Sequence, residues 1–146
     1  MRLVIQRVTS AHVAVNEQIT GQISNGLLVL VGITHEDSSV EVIKAANKLV
    51  NLRIFNDEQG KMNLSVQDIG GEILVVSQFT LYGEASKKGN RPSFVQAARP
   101  ELANQLYEEF KTVLKNLGTR VECGIFGADM QVSLVNNGPV TIIMEY

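Results

Sequence analysis

The first 33 residues constrain the fold more than any other part of the chain. Residues 2–8, 11–15, 19–23 and 27–33 are β-branched or alternating runs separated by Asn, Gly and Ser. A period of two with turn residues between the runs is the pattern of strands, and it predicts a four-strand antiparallel opening. Helical periodicity follows. Ser38 and Glu41 have the spacing of a capping box, and Val42, Ile43, Ala46, Leu49 and Val50 form one apolar stripe, which predicts a helix over residues 39–52. The Asn-Asp-Glu-Gln-Gly sequence at 56–60 is turn chemistry. The unbroken apolar run 73–76 suits a strand buried on both faces, which delivers Ser77 at its exit.

Pro100 suits the first turn of a second helix. Its apolar face is Leu102, Leu106, Phe110, Val113, Leu114 and Leu117, and it ends at Gly118 with Lys111 and Lys115 near its negative end. Runs 120–125, 130–135 and 140–146 complete a strand-rich C-terminal part. Strands around two helices, without internal repeats, predict an α+β fold built on a curled, largely antiparallel, barrel-like sheet. A length of 146 residues with 45% hydrophobic composition suits one compact domain over residues 1–146.

No stretch approaches the ~18 consecutive apolar residues of a membrane span, and Gln6 and Arg7 cut short the first apolar run. The expectation is a cytoplasmic chain, neither secreted nor membrane-spanning, in which the sequon-like Asn63-Leu64-Ser65 carries no weight. Cys123 has no partner for an internal disulfide and reads as a small buried hydrophobe in its strand. A net charge of -2 argues against a globally basic, nucleic-acid-coating surface. Between residues 85 and 99, however, Lys87, Lys88, Arg91 and Arg99 occur without any acid, in a loop marked by Gly89, Asn90 and Pro92. That loop is either an ordinary solvated one or a contact for phosphate, and composition does not choose between them.

The conventional catalytic motifs are absent: there is no G-x-S-x-G elbow, P-loop, G-x-G-x-x-G, paired Cys or H-E-x-x-H. His12 and His35 lack a nucleophile at recognisable spacing and read as structural or surface residues. An enzyme of this composition would work without a metal, a cofactor or a histidine base. That suits an activated substrate such as an ester on a ribose hydroxyl, which needs mainly orientation and oxyanion stabilisation.

Two segments have unusual chemistry for their position. At Ser77, Gln78, Phe79, Thr80, Leu81, Tyr82 and Gly83 a buried strand ends in hydroxyls and an amide. Backbone N–H groups there can face an oxyanion while Gln78 or Thr80 positions a water; equally, the run can be a polar strand exit that caps backbone groups. The second segment runs from Asn136 and Asn137 through Gly138 and Pro139 to Val140 and Thr141, a loop that exposes main-chain carbonyls and allows a cis bond. As a bare turn signal it is weak.

At this separation in a chain of this length, the two motifs together resemble the D-aminoacyl-tRNA deacylases. The resemblance extends over nearly the whole chain, including the opening residues Met1 to Val8, the stretch 53–66 and the loop 88–94. It implies the deacylase fold and a homodimer in which Gly138 and Pro139, joined by a cis bond, enter the partner's active site. Their two carbonyls would hold the substrate's α-ammonium, and an L side chain would collide with this backbone where a D side chain points outward. Glycine has no side chain to reject, so glycyl-tRNA mischarged on the tRNA for alanine would also be hydrolysed.

The resemblance further implies that Arg7 braces the Gly-Pro loop and that Phe126 and Met130 line the pocket. Ser77, Gln78, the Phe79 N–H and Thr80 would surround the scissile ester. No base stands ready to activate Thr80 as a nucleophile, so water activated by the ribose 2'-hydroxyl is the expected attacker, with Thr80 positioning it. The implied partner is the aminoacylated 3' end of tRNA. Two rivals remain at this level: a non-catalytic RNA- or nucleotide-binding protein using the 87–99 loop, and a general esterase indifferent to chirality.

Overall fold

The computed structural model describes residues 1–146. Its first strand corrects the four-strand opening. Runs 2–8 and 11–15 form a single 14-residue strand, β1 (Arg2–Val15), followed by β2 (Gln18–Ile23) and β3 (Gly26–Gly32). The polar break at Thr9 and Ser10 does not end the strand, because the ladder absorbs it. Register with the last strand shifts between Gln6 and Val8 and again between Val8 and Ser10. Such bulges re-phase a strand without terminating it. Leu3 and Ile5 therefore join one core while Val8, Ala11 and Val13 join another.

The chain end behaves in the same way. Runs 130–135 and 140–146 are one strand, β8 (Gln131–Glu145), which pairs antiparallel with β1 and carries Gly138 and Pro139 within it. Between these ends lie β4 (Phe55–Asn56) and β5 (Met62–Leu64), a small hairpin around the 56–60 turn, then β6 (Glu72–Ser77) and β7 (Arg120–Cys123). Cys123 is half-buried, not fully enclosed, and lies 3.7 Å from Lys111 Nζ.

Helix α1 (Ser39–Val50) starts at the capping box read from the sequence, with Ser38 and Glu41 bonding reciprocally. It buries Val42, Ala45, Ala46, Leu49 and Val50, whereas Ile43 points outward. Helix α2 (Pro100–Asn116) has proline in its first turn, buries Ala103, Leu106, Tyr107, Phe110 and Leu114, and is followed by Gly118 at φ +91°.

Antiparallel pairs flank β1, but β3, β6 and β7 are mutually parallel, as expected when helical crossovers join them. Both faces of β3 and β6 are covered. Leu27, Val29, Ile73 and Val75 face the helices, while Leu28, Leu74 and Val76 face the inside of the curl. This accounts for their unbroken apolar runs. The curl nearly closes where β2 meets β7: a Cβ on Gly21 would fall 2.6 Å from the Cys123 carbonyl oxygen. No helix is long and apolar enough to cross a membrane.

Candidate active site

Parallel strands leave their carboxyl ends side by side, and in this sheet those ends open onto one cleft. Val31 from β3, Val76 and Ser77 from β6, and Phe126 beyond β7 line a cavity of about 680 Å³. The N-terminal turn of α2 forms another wall. This is the position where ligands collect in sheets with parallel strands. Most of the lining is apolar, with Arg99 its only cation and Asp129 its only acid.

The exit of β6 sets the polar chemistry. Gln78 N–H donates to Val31 O at 2.8 Å, and the chain then turns into a short 3-10 helix, Phe79–Tyr82. As the first residue of that turn, Phe79 has an N–H for which the turn itself supplies no acceptor. Gln78 Nε2 donates to Thr80 Oγ1, which fixes the hydroxyl beside the strand exit. Gly32 makes room for the turn, since a Cβ there would meet Leu81 Cβ at 2.9 Å. The Phe79 ring meets Phe94 edge to face, with centroids 5.3 Å apart. Below them Tyr107 packs on Phe126 at 5.9 Å and donates its hydroxyl to Val75 O at 3.0 Å. Burial, and then the neighbouring Cys123 and Glu108, push the Tyr107 phenol well above its ordinary pKa, so it stays a neutral donor.

Gly138 and Pro139 lie elsewhere. Their peptide bond is cis, both residues are exposed, and neither lines the cleft of their own chain. Two side chains fasten the segment. Buried Arg7 donates through Nε to Asn137 O at 2.9 Å and through Nη1 to Ile54 O at 2.8 Å and Asn56 Oδ1 at 3.3 Å. Asn136 closes the other end: its Oδ1 accepts from Val140 N at 2.8 Å and its Nδ2 donates to Thr141 Oγ1 at 3.1 Å. Gly138 has φ +135°, and a Cβ on it would fall 2.9 Å from Arg7 Nη2.

Residues 4–145 match the family model described as D-Tyr-tRNA(Tyr) deacylase. The chain belongs to the D-aminoacyl-tRNA deacylases. These are hydrolases acting on aminoacyl-tRNA esters. The D-aminoacyl-tRNA deacylase of Desulfatibacillum aliphaticivorans is 61% identical over 145 residues, 99% of each chain. That of Clostridioides difficile (strain 630) is 59% identical over 99% of this chain and 97% of its own. Among solved structures, one described as a c-Myc DNA unwinding element binding protein has a TM-score of 0.93 at 43% identity, covering 100% of this chain and 99% of its own. A probable eukaryotic D-amino acid tRNA deacylase has a TM-score of 0.83 at 19% identity, covering 98% and 97%, and shows the shared fold.

Of the deacylase residues singled out in the sequence, Ser77, Gln78, Phe79, Phe126 and Met130 come together around the cleft. Thr80 joins them through Gln78, while buried Arg7 with exposed Gly138 and Pro139 forms a separate unit away from the cleft. His12 and His35 take no part in the cleft; His35 Nε2 contacts Val95 O at 2.6 Å. Sequence reading missed Tyr107 and Phe94 in the cleft lining. Tyr107 falls on the apolar face of α2 and carries no separate signal, while Phe94 was legible only as part of a loop.

Proposed function

We propose that this deacylase hydrolyses D-aminoacyl-tRNA in a site completed by a second copy of the chain, with Gly138 and Pro139 of one subunit entering the cleft of the other. One observation carries the reading: the fastened Gly138-Pro139 segment is exposed and absent from the lining of its own cleft. A carbonyl pair held by Arg7 and Asn136 is a rigid acceptor for the substrate's α-ammonium. With the ammonium and the ester both pinned, an L side chain is driven against the Gly138-Pro139 backbone and a D side chain is directed away. Glycine passes the same filter, so glycyl-tRNA mischarged on the tRNA for alanine is a second substrate. The site works in the cytoplasm on the aminoacylated 3' end.

In the reaction, water adds to the ester carbonyl, the Phe79 N–H stabilises the oxyanion, and collapse breaks the acyl–ribose C–O bond. The ribose oxygen leaves with the proton taken from water, releasing D-amino acid and tRNA. Thr80, held by Gln78, orients the water, and the neighbouring 2'-hydroxyl of the terminal adenosine helps to activate it. Ser77, Phe126 and Met130 shape the cleft around the terminal nucleoside.

The test is release of free amino acid from matched D-tyrosyl-tRNA and L-tyrosyl-tRNA, with Gly138→Ala as control. Cleavage of the D form alone, lost in Gly138→Ala, supports the chiral hydrolase. Equal cleavage of both forms would make it a general esterase, and cleavage of neither a binding protein.

A further inference from the structure

The basic residues Lys87, Lys88, Arg91 and Arg99 have no part in the chemistry above, but Arg99 lines the cleft and the other three lie on the loop that leads directly into Phe94 of its wall. Glu84 and Ser93 exchange backbone hydrogen bonds of 2.8 and 3.0 Å, so residues 84–93 form a hairpin closed at its base. The one carboxylate in this hairpin, Glu84, accepts from the Ser86 backbone N–H at 2.8 Å and from the Ser86 hydroxyl, and is thereby turned onto its own loop. None of the three hairpin cations is in an ion pair, and all are exposed. Immediately after the hairpin base, Phe94 lines the cleft and packs on Phe79, and Arg99 supplies the only cation of the cleft wall.

Resting on the reading that a terminal nucleoside occupies the cleft, we infer that these four residues are a phosphate track for the single-stranded 3' end. Arg99 takes the phosphodiester nearest the ester, and Lys87, Lys88 and Arg91 take those preceding it. A largely apolar cleft accepts base and ribose but must leave the attached phosphate at its rim, and Arg99 is the rim's positive group. A planar guanidinium fork suits a phosphodiester, and three exposed, unpaired cations on a hairpin suit a flexible strand. With a net charge of -2 and a pI near 5.7, the chain has no broad basic face for a duplex, so the track is a narrow one.

The experiment compares wild type, Arg99→Gln and the triple variant Lys87→Gln, Lys88→Gln, Arg91→Gln on D-tyrosyl-tRNA and on 3'-O-D-tyrosyl-adenosine, which has no phosphate. Arg99→Gln should lose about 10-fold more kcat/KM on the tRNA than on the nucleoside ester, and the plot of log kcat/KM against log salt should become shallower by about 0.7, the value for one single-strand phosphate contact. The triple variant should flatten the plot by about 2. The ratio of D to L cleavage should not move. Equal losses on both substrates, or salt slopes matching wild type, would overturn the track while leaving the deacylase reading intact. If wild type hydrolyses neither ester, the deacylase reading fails instead, and the track is read from the salt slope for binding 5'-phosphorylated ACCA tetranucleotide, which carries four phosphates. Wild-type and variant slopes that differ by the same amounts support it, and coincident slopes overturn it.

Discussion

Arg7 is a buried guanidinium whose hydrogen-bond partners are two carbonyls and an amide oxygen, and it makes no ion pair. A lysine keeps the charge but not the fork, so Arg7→Lys should leave Ile54 O or Asn137 O unpaired. We expect a loss of about 2 kcal/mol in urea unfolding, the cost of a buried polar group left unmade, together with a fall in the D-to-L cleavage ratio. Unchanged chiral preference with reduced stability would confine Arg7 to folding. Tyr82 gives a second test at this scale. Burial first, then Asp37, push its phenol up to about 12 against the opposing pull of Arg2, whose guanidinium sits 4.9 Å above its ring. A folded pKa above the unfolded 10 means that the neutral phenol stabilises the fold fully below pH 10, and that this contribution is lost as pH rises towards 12. Unfolding free energy should therefore decline more steeply between pH 10 and 12 in wild type than in Tyr82→Phe. What could be read in advance at single residues was Ser77 at a strand exit and the two motifs. The hold of Arg7 on Asn137 was implied only by resemblance, since 130 residues separate the partners.

At the scale of elements, local chemistry was legible and partnering was not. The capping box of α1 needs only residues three apart, and it formed as read. Ser38→Ala should cost about 1 kcal/mol in thermal or urea unfolding and leave turnover of D-tyrosyl-tRNA unchanged, because α1 contributes nothing to the cleft. The joining of runs into β1 and β8 was hidden, because a bulge interrupts the alternation on which strand reading depends. Parallel pairing of β3, β6 and β7 was hidden for another reason: an apolar run reports that both faces are buried, not which neighbour lies beside it. The tight seam at Gly26 is equally silent in sequence. A Cβ there would fall 1.9 Å from Glu72 O, in the β3–β6 ladder that brings Val31 alongside Ser77. Gly26→Ala should destabilise by about 3 kcal/mol or more and disorder the cleft, read as loss of both the melting transition and activity.

For the whole molecule, the proposed filter at Gly138-Pro139 and the proposed ester site at the cleft lie apart on one chain. β8 is the outermost strand of its side of the sheet, pairing only with β1, and it exposes Val132, Val135 and Ile143. A long edge strand with apolar side chains invites a partner, and the proposed second copy would cover it. The two-chain site makes a prediction that no one-chain site shares. Gln78→Ala frees the Thr80 hydroxyl beside the cleft, whereas Gly138→Ala displaces the proposed filter against Arg7. Each variant alone should hydrolyse D-tyrosyl-tRNA poorly. Unfolded together and refolded, they should form mixed dimers in which one cleft and one filter are both intact. Random pairing makes half of the dimers mixed with one working site each, so activity should recover to roughly a quarter of wild type. If cleft and filter served the same chain, every site in the mixture would stay damaged and no activity would return, so recovery on mixing separates the two arrangements without any knowledge of the interface itself.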